Sequence, residues 1–519
     1  MAATAGALLA GVAWFFIARR DKAVRPDLEA WWFATVRHAS RIMGALALVA
    51  AIIASTFATR SAAGADASGY LSQAEMWSHL QWRKAEPLDE GGLAPRNQWL
   101  TTPLGWRPAA PAYQAPTYPP GLPLLIAVPH AVAGVDGATA LIAASAAAAV
   151  WAAGMLARGT AGIIATVLLA CAPAFLYQSI QPMSDVPVTA AWVLCFLLLD
   201  KPSLAGVACA LAVLIRPNLA PLAVVPLLVA PRRVAFALPV AAAGTFLAFM
   251  QWQWYGSPWR SGYGTAEELF ALANIWPNLE RYAQWLIATA PVLILAPLGL
   301  IRARQNRRAL AMAVFAALVI AAYLVYSVFD QWSYLRFLLP ALAVFAVFAG
   351  IELAAWVERS PIAWRAPVLT VLLLAVSAHG IWAARSLDTF ELSDQLRRVR
   401  QVAEYVNQSA PPTAVIVSGE QSGSMRYYTG RSILRWEAGT PDDLAAAIET
   451  LARVERPVYV ALDAWEEELF RKKFASIPGG QLDWPSAVEA GESHRTKLWR
   501  VGDRARFLAG ARVETLRLP

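Results

Sequence analysis

Charge is what this sequence has little of. Asp, Glu, Lys and Arg make up 15% of its 519 residues, against 58% hydrophobic. A soluble domain of this length has no means of burying so much apolar surface, so the chain needs lipid. Cysteine is almost missing: Cys171, Cys195 and Cys209 all lie inside apolar blocks. No disulfide is expected, and the count does not bear on redox compartment. No cluster of His and Asp with metal-ligand spacing occurs, so neither a metal nor a cofactor is expected. The net charge of +8 would point to nucleic acid in a soluble protein. Here many of the basic residues sit in short links between apolar blocks, a pattern of membrane topology and not a DNA footprint, and no nucleic-acid partner is expected.

What is present is a series of apolar blocks of about 15 to 20 residues, the length that crosses a hydrocarbon core as helix. Taken as spans, they predict helices near 2–18, 42–58, 138–157, 160–178, 186–200, 203–216, 217–230, 234–253, 283–301, 309–328, 337–356 and 363–384. The fold class is an α-helical polytopic membrane protein of about 12 transmembrane helices with a C-terminal soluble α/β domain. In the first block the positive charges follow the apolar run, which reads as a retained span with its N-terminus outside. The inner links 19–41, 158, 201, 232–233, 302–308 and 359 are then all basic, as the charge rule for short loops demands. The loops 59–137, 179–185, 254–282 and 329–336 fall outside, together with residues 385–519. The expected division is an extra span with a basic link (1–41), a membrane domain (42–384) and a periplasmic domain (385–519).

Two local features break the series. The blocks at 203–216 and 217–230 meet at Arg216-Pro217-Asn218, where proline removes a backbone donor and disfavours helix just before it, so a broken helix or hairpin is expected. In the first outer loop, Tyr118-Pro119-Pro120-Gly121 opens an apolar stretch reaching about Gly134, read as an interfacial helix because a span there would spoil the charge alternation. Beyond 385, strands at 413–418, 432–436, 457–462 and 497–501 alternate with amphipathic helices at 393–408, 441–454 and 464–474, which predicts a three-layer α/β domain. The segment 415–423 looks like a strand with a glycine-bearing loop but lacks the spacing of a dinucleotide site.

Ionisable groups within spans ordinarily mark function, and here they are few, chiefly Glu352 and His379. Asp66, Glu75, Asp185, Arg216, Arg260, Asp330 and Arg336 instead gather at the outer rim. Carboxylates and arginines at one membrane face suit an enzyme that activates a hydroxyl and holds a lipid phosphate at headgroup level.

Five stretches carry a resemblance: Gly64-Ala-Asp66-Ala-Ser-Gly69-Tyr70, Tyr118-Pro-Pro-Gly121, Gln181-Pro-Met-Ser184-Asp185-Val-Pro187, Ile215-Arg216-Pro217-Asn218 and Tyr334-Leu-Arg336-Phe-Leu-Leu-Pro340. In this order they resemble the GT-C superfamily. More narrowly, they are similar to bacterial relatives of the protein O-mannosyltransferases and the aminoarabinose lipid A transferases. The resemblance implies an inverting glycosyltransferase that moves a sugar from a polyprenyl-phosphate-linked donor to a glycan, lipid or protein acceptor at the periplasmic face of the bacterial inner membrane. It implies that Asp66, the acid just after the first core span, is the catalytic base. The residues alone also allow Asp66 or Ser68 to be a helix cap. Many relatives carry two adjacent acids here, whereas Ala67 follows Asp66; the second carboxylate is unassigned, and Glu75 or Asp185 could complete the site.

Asp185 ahead of Pro187 is either a helix start or a group that orients the acceptor or the base or, as a lesser alternative, binds a divalent cation. Arg216 and Arg336 suit bidentate capture of phosphate and stabilisation of the leaving group, or else they snorkel to the interface. The resemblance matches Arg336 to the relatives' phosphate-contacting arginine. Tyr118 or Tyr263 could stack on a sugar ring, and Arg260 joins the substrate-binding set. The rivals are a transporter or flippase of a lipid-linked saccharide, for which the sequence offers no internal repeat, and a membrane-anchored sensor, which leaves the clustered outer motifs unexplained.

Overall fold

The apolar blocks fold as helices because, in lipid, each segment must satisfy its own backbone polar groups. The computed structural model describes residues 25–90, 92–93, 97–110, 113–492 and 494–519; the block expected at 2–18 lies outside them. Two units are each assembled from three stretches. One takes residues up to Ala58, Ala140–Phe246 and Thr265–Phe390; the other takes Thr59–Thr139, Leu247–Gly264 and Glu391–Pro519.

The first unit holds most of the membrane-length helices. Among the described residues of the chain, six helices are long and apolar enough to cross a membrane: Ala39–Thr56, Gly121–Ala157, Arg233–Tyr255, Arg307–Leu324, Trp332–Arg359 and Ile362–Ser386. The number rises to eight if the bent pairs Gly159–Ala170 with Pro173–Ser179 (65°) and Leu272–Thr289 with Pro291–Ala303 (111°) each count as one span. The chain is thus multi-pass, with fewer full-length spans than the dozen expected. The difference lies in length. The blocks near 186–230 form the short helices Asp185–Leu197, Pro202–Ile215 and Pro217–Val229. At 1.5 Å per residue the first two reach about 20 Å, short of the roughly 30 Å hydrocarbon core. As expected, the chain breaks at Arg216: helix ends at Ile215 and a 3₁₀ turn runs from Pro217 to Ala223. The segment Trp332–Arg359 is wrapped by its neighbours, with 89% of its most apolar stretch buried. Small residues permit this: a Cβ on Gly299 would sit 1.8 Å from the Phe348 carbonyl oxygen, so the two backbones meet only through glycine.

The second unit is the α/β body. Strands β1 (Lys84–Ala85), β2 (Trp106–Ala110) and β3 (Tyr113–Pro116) form a small antiparallel sheet with β3 in the centre. Strands β4 (Val415–Ser418), β5 (Ser432–Arg435), β6 (Val458–Asp463), β7 (Val488–Ala490), β8 (Thr496–Arg500) and β9 (Leu516–Leu518) form a sheet in the order β5-β4-β6-β8-β7-β9. Strand β4 runs parallel to both β5 and β6, and β8 is antiparallel to β6 and β7. Alternation places Val415 and Val417 in one core, with Leu444, Leu451, Phe470 and Phe474 from the helices Pro441–Arg453 and Ala464–Lys473. Ile416 faces the other core, with Val399, Val402 and Val406 of the helix Leu392–Ser409. This is the three-layer arrangement that period-two and period-3.6 patterning predicts. The short strands β7 and β9 escape sequence reading because three residues carry no periodicity. The proline-containing apolar stretch begins a helix at Gly121 that breaks at Ala133 and Gly134, the latter at φ 58° and ψ −139°. That conformation is open to glycine and costly for other residues.

Candidate active site

In the second unit the site grows from the start of one helix, Gly64–Ser78. Its cap position falls to Ala63, which offers no side-chain cap. Asp66, in the first turn, accepts a 2.8 Å hydrogen bond at Oδ1 from the Tyr118 hydroxyl. Two glycines make this reach possible. Gly69 lies one turn after Asp66, and a Cβ there would stand 2.2 Å from Cε2 of Tyr118; the bare backbone lets the ring lie flat on the helix. Gly105, at φ 88°, brings its Cα against the same place, with its own Cβ position 2.7 Å from the Gly69 Cα. The Tyr118 ring also packs against Tyr70 (4.6 Å) and edge-on against Tyr263 (5.8 Å). Burial pushes the Tyr118 phenol well above its ordinary range, and the Asp66 charge adds to this, so it stays a neutral donor.

The other expected residues of this unit fall elsewhere. Glu75 is nine positions beyond Asp66 on the same helix, about 13 Å along its axis, and meets Lys84 at 3.5 Å. Arg260 is exposed.

In the first unit Asp185, Arg216 and Arg336 do gather. Asp185 opens the helix Asp185–Leu197 and is 1% exposed. Its Oδ1 holds Nη2 of Arg216 at 2.5 Å. Oδ2 is buried with no partner among the described residues. Arg216 reaches the Ser184 hydroxyl at 3.4 Å and the Tyr323 hydroxyl at 3.5 Å, and Asn218 Nδ2 donates to the latter at 3.0 Å. The guanidinium lies 5.6 Å from the centre of the Phe337 ring, and that of Arg336 lies 5.3 Å from the same ring and 5.1 Å from Tyr334. One aromatic ring therefore serves both arginines through cation–π contacts. Phe337 in turn stacks on Tyr323 at 5.0 Å with the planes 5° apart.

Tyr70, Gly69, Tyr323, Phe337 and Asn218 were not singled out by sequence reading. Gly69, Tyr70, Asn218 and Phe337 stand inside motifs already noted, but only the folded chain shows what each one meets. Asp330 pairs with Arg281 instead of joining the arginine cluster.

A scan against models of protein families finds no match, and none of the curated proteins matches. Solved structures do. ArnT from Cupriavidus metallidurans bound to undecaprenyl phosphate superposes with a TM-score of 0.54 at 13% identity, covering 88% of this chain and 97% of that one. The same protein in its apo state gives 0.52 at 14% identity, with the same coverage. The arabinofuranosyltransferase AftD from Mycobacteria gives 0.42 at 14% identity, over 81% of this chain and 35% of that one. At these identities the likeness is one of fold: this chain folds as ArnT does over 88% of its length.

Proposed function

We propose that this chain is an inverting glycosyltransferase that moves a sugar from a polyprenyl-phosphate donor to an acceptor hydroxyl or amine at the periplasmic face of the inner membrane. The observation that carries the reading is the Asp66 carboxylate, fixed at the head of a helix by the Tyr118 hydroxyl at 2.8 Å. A base must be oriented before it is useful, and a neutral phenol orients a carboxylate without protonating it. Asp66 takes the acceptor's proton as its oxygen or nitrogen attacks the anomeric carbon. The bond from that carbon to the phosphate oxygen breaks, and polyprenyl phosphate leaves with the electron pair. Attack opposite the leaving group inverts the centre.

In the first unit Arg336 and Arg216, both within 5.6 Å of the Phe337 ring centre, form a cationic pair of the kind that holds a lipid phosphate. Asp185 keeps Arg216 in place through Oδ1 and offers Oδ2 to a donor hydroxyl. Support for a lipid phosphate comes from ArnT, which shares the fold and has been solved with undecaprenyl phosphate. Residues 385–519 contribute a periplasmic domain.

The test is Asp66→Asn in the purified full-length protein. Sugar transfer should fall about 10²- to 10⁴-fold, the usual worth of a general base, while elution volume and retention of undecaprenyl phosphate stay as in the parent. Turnover that survives the substitution removes the assignment. Mass spectrometry of lipid-linked sugars and envelope glycans, with and without the gene, then names donor and acceptor; a flippase would leave the glycan-linked sugar and alter only its sidedness.

A further inference from the structure

The glycine-bearing loop after β4 has no phosphate spacing, yet it is the part of the sheet where open α/β folds bind their ligands. The chain runs from β4 to β5 on one side and then to β6 on the other, so the order reverses between β4 and β6. Ligands ordinarily sit at the carboxyl ends of such strands. Here that place is taken by the protein itself. Gln421 Oε1 accepts from the backbone N–H of Gly64 at 3.1 Å, and the Ser422 hydroxyl accepts from Leu104 N–H at 3.1 Å. Gly423 lies so close to the Asp66 helix that a Cβ would stand 2.3 Å from the Ser68 hydroxyl.

Glu420 belongs to the same loop. Its Oε1 lies 3.6 Å from where a Gly64 Cβ would be, two residues before Asp66. Its backbone N–H donates at 3.0 Å to Glu466 Oε1, which also receives the Trp436 indole N–H at 3.1 Å.

We propose that Glu420 is the missing second carboxylate of the Asp66 site, a positioning residue that the α/β sheet delivers to the first turn of the catalytic helix. The inference rests on the glycosyltransferase reading for its purpose, not for its geometry. The groups facing Glu420 are all acidic: Asp66 on its helix, Glu437 in the turn Trp436–Ala438, Asp463 at the end of β6 and Glu466 on the following helix. Of these, Asp463 is neutralised by Arg398 at 3.2 Å. Burial, then Glu437, Asp463 and Asp66, push the Glu420 carboxyl up to about 7. Glu466, mainly through burial, is also pushed up to about 7. Near neutrality Glu420 therefore changes from a neutral acid to an anion. Its charge places Asp66 in a more negative potential at the moment the acceptor's proton arrives.

The experiment is an infrared titration of the carboxyl C=O stretch in the full chain, with ¹³C-labelled Glu, beside a transfer assay on lipid-linked sugars extracted from native membranes. The parent should show two glutamic acids losing their protons near pH 7, and Glu420→Gln only one. In Asp66→Asn one of the two should titrate at lower pH, because a like charge has gone. Transfer by the parent should rise between about pH 6 and 8, whereas Glu420→Gln should stay flat and about tenfold slower at the upper end. Glu420→Asp should restore part of the rise. Two titrating glutamic acids in Glu420→Gln, or no movement in Asp66→Asn, would overturn the proposal. A parent that transfers no sugar, while Asp66→Asn shows the infrared shift, would instead sink the glycosyltransferase assignment and leave the carboxylate pair standing.

Discussion

Adding a single methyl group at Gly69 should disable the site without touching a titratable residue. The Cβ of Gly69→Ala would lie 2.2 Å from Cε2 and 2.6 Å from Cδ2 of Tyr118, and 3.1 Å from the Gly105 Cα. Ordinary carbon contacts need about 3.5 to 4.0 Å, so the ring must retreat by more than 1 Å. A hydrogen bond that stands at 2.8 Å does not survive such a retreat. Hydrogen bonds to a charged group contribute about 1.5 to 3 kcal/mol. If the bond matters to the transition state by that amount, kcat should drop by about one to two powers of ten. The assay is sugar transfer by purified protein, with far-UV circular dichroism to check the fold. Tyr118→Phe removes the same bond without crowding and should give a similar loss. Because both substitutions act on one contact, the double variant should be little worse than either alone. Full activity in Gly69→Ala, or losses that simply add, would refute the claim that Gly69 exists to seat Tyr118.

Three further outcomes follow from the geometry. Arg336→Ala should weaken retention of undecaprenyl phosphate, read by native mass spectrometry, about tenfold or more, and unchanged retention would remove the phosphate role. Arg216→Met leaves Asp185 buried without its cation and should destabilise the detergent-solubilised protein by about 3 to 5 kcal/mol, whereas Asp185→Leu with Arg216→Met should recover most of it; thermal melting distinguishes the two. Glu420 and Glu466 stand at about 7 in the folded chain against an ordinary 4.5. The folded state therefore binds more protons than the unfolded one between those values, and stability of the α/β unit should decline as pH rises from 4.5 through 7. Denaturant titrations at pH 5 and pH 8 that give the opposite order would contradict the burial of both acids.

Much of the fold could be read from periodicity alone, and much of the site from residue type. Strands β4, β5, β6 and β8 and their covering helices lie within a residue or two of expectation, because burial on both faces imposes a pattern that a short window captures. The break at Arg216-Pro217 was legible for the same reason, proline being a local signal. Span number was less so: apolar composition at 186–230 cannot reveal that the helices stop at 13 and 14 residues. The arginine cluster was foreseen by type, but Phe337, which seats both guanidinium groups, looked like one more apolar residue. Glu420 was invisible because 354 positions separate it from Asp66, and nothing in its own loop announces a distant carboxylate.

The dependence of the Asp66 helix on Gln421 and Ser422 also imposes an order of events during synthesis. Residues 59–139 are made 252 positions before residue 391. At ribosomal speeds of about 5 to 20 residues per second, that is a wait of roughly 10 to 50 s. Through that interval the amides of Gly64 and Leu104 lack the acceptors that Gln421 and Ser422 later provide. Those contacts can therefore form only once the chain has been made past residue 422.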